Sequence, residues 1–298
     1  MSSSLLRSPP DRAADRAVAP RVRRRAATLV LAGVLGVALA AVLLVRGARS
    51  AQAPPPAIRL APGLAPLAHY GTLVRDYRFT GRALPADWSV GTGSHGFQAT
   101  SFQASQVSMT GSAVALRAAG PAAPGQRYRG GWITTAGRYS LTHGLIDFRA
   151  RMPAGRGLWS GLWALGGPGP SAPGEIDVQE MLLANTHIVY GSLHDWSAAP
   201  WEVVRQTRLR VAASGGFHDY QLVWQPGMIT WAIDGVAYAQ YTRAEALAAG
   251  RSWPFDSGRA VYLIADLAVG SRSEWGGAPS RRTVLPAALE LQSIRIWQ

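Results

Sequence analysis

Three carboxylates lie close together in the segment GEIDVQEM, residues 174–181: Glu175, Asp177 and Glu180. Because the chain holds only 17 acidic residues in 298, this ExDxxE spacing is poorly explained by chance. Two carboxyl groups on one surface can divide a reaction, one attacking as a nucleophile and one donating a proton. Retaining glycoside hydrolysis needs such a pair about 5 to 5.5 Å apart. The pattern indicates this chemistry, and a solvated strand face or a cation site is the alternative.

The strand that carries these carboxylates must contain an irregularity if all three are to share a face. Side chains alternate along a strand, so Glu175 and Asp177 share one face while the residues that follow each of them point to the core. Glu180, five positions after Glu175, would then point the wrong way. A one-residue β-bulge near Gln179 restores the shared face, and such bulges are frequent beside active sites.

The rest of the chain from residue 67 onward shows the short alternating runs of an antiparallel β-protein. Residues 219–241 read as three strands that turn at Pro226-Gly227 and Asp234-Gly235. Alternation recurs at residues 143–153, 188–194 and 289–297, and one short helix-like piece spans residues 243–250. Many strands with turn residues between them predict an all-β sandwich or barrel.

The N-terminal residues have the composition of a membrane anchor. Residues 26–45 are uncharged and mostly apolar, long enough as a helix to cross a hydrocarbon core of about 30 Å. More arginines precede this segment closely than follow it, so the positive-inside rule places residues 1–25, an Arg-rich arm, in the cytoplasm. Residues 46–66, rich in Pro and Ala, are predicted to be a linker. Residues 67–298 then form an extracytoplasmic domain.

Cleavage of the N-terminal segment is the alternative to anchoring. Ala51 and Ala53 form a small-x-small site, and cleavage there would release the domain as a secreted protein. The chain has no cysteine, which excludes disulfides and thiolate metal sites.

The formal net charge of +13 does not predict a nucleic-acid partner. More than half of the excess lies in the first 50 residues, and basic residues interleaved with aromatic residues do not stand out in the domain. The histidines show no HxH or HExxH spacing, so no catalytic metal or other cofactor is expected. Whether a structural calcium ion binds on the outer face of the sandwich is left open by the sequence.

The segment EIDVQE and the preceding GRGLWSGLWALG, residues 155–166, resemble glycoside hydrolase family 16. The resemblance is to its laminarinase-like subgroup with the bulged ExDxxE spacing, and it extends over nearly all of residues 70–298. It implies a β-jelly-roll sandwich of two antiparallel sheets with a concave substrate cleft. It also implies Glu175 as the nucleophile, Asp177 as an assisting acid and Glu180 as the general acid/base.

Five residues are predicted to contact the sugar chain: Trp159, Trp163, His194, Trp196 and Trp275. The first three match residues of the family's cleft, whereas the two others lie in predicted loops. Aromatic rings stack well on the apolar faces of sugars, and a packing role is the alternative for each tryptophan.

The resemblance implies an endo-acting, retaining enzyme that cleaves a β-linked polysaccharide, in particular β-1,3-glucan, outside the cytoplasmic membrane. Two alternatives stay open: a family member that trims or transglycosylates an exopolysaccharide, and a non-catalytic glucan-binding protein on the same fold. The chain departs from the family where WSGLW replaces WPAxW and where Asp266 replaces Asn. These departures lie where substrate contacts are expected.

Overall fold

The computed structural model describes residues 53–94, 96–97, 99–167 and 174–298. The predicted cytoplasmic arm, residues 1–25, and the predicted membrane helix, residues 26–45, lie outside the described residues. Within the described ranges, no helix is both long and apolar enough to cross a bilayer.

The described residues form strands with one short α-helix. The elements are β1 (Arg59–Leu60), β2 (Leu73–Arg78), β3 (Ser89–Val90), β4 (Thr100–Phe102), β5 (Val107–Met109), β6 (Val114–Ala118), β7 (Tyr128–Thr134), β8 (Gly144–Arg151), β9 (Leu158–Gly166), β10 (Glu175–Leu182), β11 (Ile188–Asp195), β12 (Trp201–Arg208), β13 (His218–Gln225), β14 (Met228–Ile233), β15 (Val236–Thr242), α1 (Arg243–Ala248), β16 (Val261–Val269) and β17 (Ala287–Trp297). Two 3-10 turns span Ala104–Gln106 and Pro254–Asp256.

These strands form two sheets. One, called here the back sheet, has the order β1-β15-β14-β13-β8-β17-β6-β5, and β2 also pairs with β17. The other, called the cleft sheet, has the order β12-β11-β10-β9-β16-β7-β3, and β4 also pairs with β7. The pairs are antiparallel except β1 with β15 and β4 with β7. The predicted all-β sandwich of two sheets is confirmed.

The alternating runs of the sequence produce this sandwich because each strand turns one row of apolar side chains inward. In β10, Ile176 and Val178 are buried in the core between the sheets. The predicted three-strand meander is seen as β13, β14 and β15, which turn at residues 226–227 and 234–235. At the second turn both Asp234 and Gly235 have positive φ, as a tight two-residue hairpin requires.

The structure differs from the predicted linker at residues 53–66, which contact the domain. Arg59–Leu60 pair in parallel with Val236–Ala237 of β15, which would otherwise be an edge strand. The side-chain amide of Gln240 accepts from the N–H of Ala65 and donates to its carbonyl, at 2.7 and 2.8 Å. Residues 53–66 make these bonds with their backbone groups, so no side-chain pattern in the Pro-rich segment revealed them.

Candidate active site

Strand β10 carries the three carboxylates and contains the predicted bulge. Its pairing with β9 skips from Asp177 to Gln179, which leaves Val178 as an extra residue. The pairing with β11 is irregular between Asp177 and Glu180. Val178 stays in the core, while Glu180 opens onto the cavity that Glu175 and Asp177 line. The bulge prediction is therefore confirmed, and it brings all three carboxylates to one face of the cleft sheet.

The bulge is held from inside the sandwich by Trp231 of β14. Its indole Nε1 donates to the backbone carbonyl of Asp177 at 2.8 Å, and the whole side chain is buried. A bulge disrupts the strand ladder locally, and this hydrogen bond from the back sheet gives the carbonyl a partner. Gly191 of β11 makes room for the ring, because a Cβ there would come within 2.5 Å of the indole.

Replacing Trp231 with Phe is expected to lower the free energy of unfolding more than replacing Trp224 with Phe. Both tryptophans are fully buried, but Nε1 of Trp224 has no hydrogen-bond partner among the described residues. Both variants lose the same atoms, whereas only Trp231→Phe removes a hydrogen-bond donor from a buried carbonyl, at a cost of about 1–3 kcal/mol. Urea unfolding of the two variants measures this difference. Equal losses of stability would contradict a bulge held by this bond.

The carboxylates open into a cavity of about 350 Å³ on the outer face of the cleft sheet. Six aromatic residues among those described line it: Phe97, Phe102, Trp132, Trp159, Trp163 and Trp275. The structure thus brings three of the predicted sugar contacts to the cavity, together with three aromatic residues that the sequence analysis missed. Trp275 is 47% exposed and its ring lies edge-on to that of Trp159, with 5.6 Å between centroids.

Both carboxylate oxygens of Glu180 accept hydrogen bonds. Trp159 Nε1 donates to Oε1 at 3.2 Å, and Ser192 Oγ donates to Oε2 at 2.8 Å. Burial raises the pKa of Glu180, and the Ser192 bond, the charge of His194 and the Trp159 bond oppose that rise. Ser192 was missed in the sequence, although it lies two positions before His194 on β11 and therefore shares its face.

Glu175 and Asp177 are neighbouring acids in the site, and each affects the ionisation of the other. Burial and the charge of Asp177 raise the pKa of Glu175 to about 8. Asp177 is 2% exposed, and burial, together with the charges of Glu180 and Asp266, raises its pKa well above the ordinary value. Like charges in so small a space cannot all be ionised at low energetic cost. The cluster therefore keeps at least one proton at neutral pH.

His194 and Trp196 lie beside the carboxylates. The Nε2 atom of His194 is 3.2 Å from Oδ2 of Asp177, and its ring stacks on that of Trp196 with 5.2 Å between centroids. Trp196 is 64% exposed. Ligand atoms of Glu175, Asp177 and His194 lie within 4.8 Å of one another, a spacing that could also hold a cation. A cation there would occupy the oxygens that acid–base chemistry needs.

Asp266 of β16 adds a fourth carboxyl group to the cavity. Trp163 Nε1 donates to its Oδ1 at 2.8 Å, and the side chain is 4% exposed. Burial raises its pKa to about 7, the charges of Glu180 and Glu175 add to the rise, and the Trp163 bond opposes it. Asp266 was noticed in the sequence only as a departure from the family. Asp266 pairs with Gly161 of β9, and this register places its side chain on the same face as the catalytic candidates.

Known proteins are similar to this chain in sequence and in fold. The sequence profile described as Glycosyl hydrolases family 16 matches residues 94–281. Beta-glucanase of Rhodothermus marinus is 28% identical over 243 residues, covering 75% of this chain and 83% of that protein. Glucan endo-1,3-beta-glucosidase A1 of Niallia circulans is 31% identical over 195 residues, covering 58% of this chain and 26% of that protein.

A solved structure of the same architecture is the laminarinase catalytic domain from Thermotoga maritima MSB8. It superposes with a TM-score of 0.68 at 26% identity, covering 76% of this chain and 98% of that domain. The matched profile includes strand β10 with its three acids.

Proposed function

Because the chain belongs to glycosyl hydrolase family 16, whose profile spans residues 94–281, we propose that this glycoside hydrolase cleaves internal β-1,3 linkages of a glucan with retention. Glu175 is the nucleophile and Glu180 the general acid/base. The observation that carries the proposal is the bulge in β10, which turns Glu180 onto the cavity that Glu175 and Asp177 also line. Without the bulge, Glu180 would point into the core.

In the first step, Glu180 donates its proton to the glycosidic oxygen and the carboxylate of Glu175 attacks the anomeric carbon. The bond from that carbon to the leaving oxygen breaks, and a glycosyl ester forms on Glu175. In the second step, Glu180 takes a proton from water as the water oxygen attacks the same carbon. The ester bond breaks, Glu175 is free again, and the two inversions give net retention.

The role of Asp177 is to hold a proton next to Glu175. We place the proton that Glu175 and Asp177 share on Asp177, which is 2% exposed, because burial penalises the charged form of a carboxyl group. Asp177 then donates a hydrogen bond to Glu175, which stays a carboxylate ready to attack. Once Glu180 has lost its proton, the donors Trp159 and Ser192 stabilise its charge until it activates water.

The lining of the cavity supports an uncharged polymer as substrate. Its titratable residues among those described are all acids: Glu175, Asp177, Glu180, Asp266 and Glu274. Sulfated or carboxylated sugars would be repelled here, while aromatic rings suit the apolar faces of neutral sugars. The β-1,3 linkage is inferred from the names of the Niallia circulans relative and the Thermotoga maritima laminarinase.

Product analysis on laminarin, a β-1,3-glucan, tests the proposed activity, with cellulose as the β-1,4 control. We expect reducing ends to appear together with laminari-oligosaccharides of several lengths from the earliest times, as random internal cleavage produces. A single short product would contradict endo-action, and products longer than the substrate would indicate transglycosylation. Binding without any new reducing ends would support the glucan-binding alternative.

Replacing Asp266 with Asn is expected to move the alkaline limb of the kcat/KM profile to lower pH and leave the acid limb in place. Asp266, with a pKa of about 7, is neutral below that pH and charged above it. Above that pH the charge of Asp266 repels those of Asp177 and Glu180 and raises their pKa values. Replacing Asp266 with Asn therefore lowers these pKa values only in the pH range in which Asp266 is charged. Ser192→Ala removes a donor to Glu180 and should move the same limb upward. Shifts in the same direction for both variants would contradict this account.

The proposal also includes a membrane tether, with the domain outside the cytoplasmic membrane. Its support is the run of uncharged residues at 26–45 and the excess of arginine that precedes it. Retention of the full chain in the membrane pellet after alkaline carbonate washing would agree with the tether. Release into the supernatant would favour secretion after cleavage.

A further inference from the structure

A second cavity, of about 630 Å³, lies where the edges of the two sheets meet. It is lined by residues of β1, β13, β14 and β15 from the back sheet, and by the end of β12 and the residues after it from the cleft sheet. None of its lining residues lines the active-site cavity. The two cavities are therefore separate sites.

Three arginines line this cavity: Arg59, Arg208 and Arg210. They are exposed, and their guanidinium groups make no hydrogen bond or ion pair with another described residue. One acid, Asp234, lines the cavity among the described residues, and it is paired with His218 at 2.7 Å. The cavity therefore has an excess of positive charge that no part of the described chain neutralises.

Two further side chains of the cavity each have a buried polar atom without a hydrogen-bond partner among the described residues. His218 is 6% exposed, and its Nδ1 faces Oδ2 of Asp234, which leaves Nε2 buried without a hydrogen bond. The hydroxyl of Tyr238 is also buried without a partner. Most buried polar groups in proteins are hydrogen-bonded, and an exception calls for an explanation such as a bound ligand. Both side chains belong to the same cavity as the unpaired arginines.

We propose that this cavity binds a phosphate group. Arg59, Arg208 and Arg210 would neutralise its charge with forked hydrogen bonds, for which guanidinium groups are suited. The Tyr238 hydroxyl donates to a phosphate oxygen. Nε2 of His218 donates when the ring is protonated, and accepts from the P–OH of hydrogen phosphate when the ring is neutral.

The phosphate has two sources, free phosphate and the headgroup of an anionic phospholipid. Arg59 follows the predicted membrane segment, residues 26–45, by a short stretch of chain, so a headgroup is within reach if that segment anchors the protein. The two sources differ in chemistry, because free phosphate is a compact dianion whereas a glycerophospholipid headgroup is a singly charged diester. Soluble probes can therefore distinguish them.

The test is calorimetric titration of the full chain, kept in a nonionic polyoxyethylene detergent, with inorganic phosphate and with glycerophosphoglycerol. We expect saturable binding of at least one probe, and the tighter one identifies the source. The double variant Arg208→Gln/Arg210→Gln should weaken that binding by about tenfold or more, since two charge-assisted contacts are lost. The matched control Arg82→Gln/Arg127→Gln removes the same charge from exposed positions outside this cavity and should leave binding nearly unchanged.

A second variant, Tyr238→Phe, removes only the unpartnered hydroxyl. It should also weaken binding, while hydrolysis of laminarin stays at the level of the unaltered chain. Failure of both probes to bind would overturn the phosphate site. Equal weakening by the two double variants would also overturn it, because the binding would then depend on net charge rather than on this cavity.

Discussion

The Glu175→Ala enzyme is expected to hydrolyse laminarin on the order of 10⁴-fold more slowly or worse, because no group remains to form the glycosyl ester. The truncated side chain leaves room beside the anomeric carbon, so added azide should restore cleavage of an aryl β-glucoside. Azide attacks from the side opposite the leaving group in a single inversion, and the product should be the α-glucosyl azide. Activity assays with and without azide, followed by NMR of the product, measure both effects.

A matched control for this variant is Glu290→Ala. Glu290 lies on β17 of the back sheet, where it forms a surface ion pair with Arg151 at 2.6 Å. Such exposed pairs contribute little to stability, so Glu290→Ala should retain the activity of the unaltered enzyme. Undiminished hydrolysis by Glu175→Ala would show that another residue attacks the sugar. A β-configured azide product would contradict a nucleophile at this position.

The Glu180→Ala enzyme is expected to lose about 10²–10⁴-fold in kcat on laminarin, the usual contribution of a general acid. A dinitrophenyl glucoside needs no protonation of its leaving group, so its glycosylation step should be nearly unaffected. Hydrolysis of the resulting ester lacks a general base and becomes slow. The glycosyl-enzyme should therefore accumulate, and intact-protein mass spectrometry should detect one added sugar on the chain.

Ser192→Ala is the control for this second variant, because it removes one hydrogen bond to Glu180 and leaves the carboxyl in place. It should show a modest loss on both substrates and no accumulated ester. If Glu180→Ala slowed the glycosylation step, measured as kcat/KM, equally on laminarin and on the dinitrophenyl glucoside, proton donation by Glu180 would be ruled out. If azide, which needs no general base, failed to speed turnover of the activated substrate, the general-base role of Glu180 would be ruled out.

The parts of the site that follow from local pattern were predictable. Alternation along β10 required a bulge if Glu180 was to join Glu175, and the strand contains one beside Gln179. The spacing of four between Trp159 and Trp163 placed both on the cavity face of β9. Turn residues located the hairpins at 226–227 and 234–235 because few residue types accept the backbone conformations there.

What could not be predicted depends on contacts between residues distant in sequence. Trp231 holds the carbonyl of Asp177 across the sandwich, and no spacing rule links residues in opposite sheets. Asp266 reaches the cavity only because β16 lies next to β9 in the sheet order. The raised pKa values likewise result from burial, which the sequence alone does not define for an acidic side chain.

Proton NMR of the first sugar released from laminarin is the most direct test of paired action by Glu175 and Glu180. Recorded before mutarotation equilibrates the anomers, the spectrum should show the new reducing end in the β configuration, with the α anomer growing in later. Reducing ends that first appear in the α configuration would mean that water attacks the sugar directly, and Glu175 would not be a nucleophile.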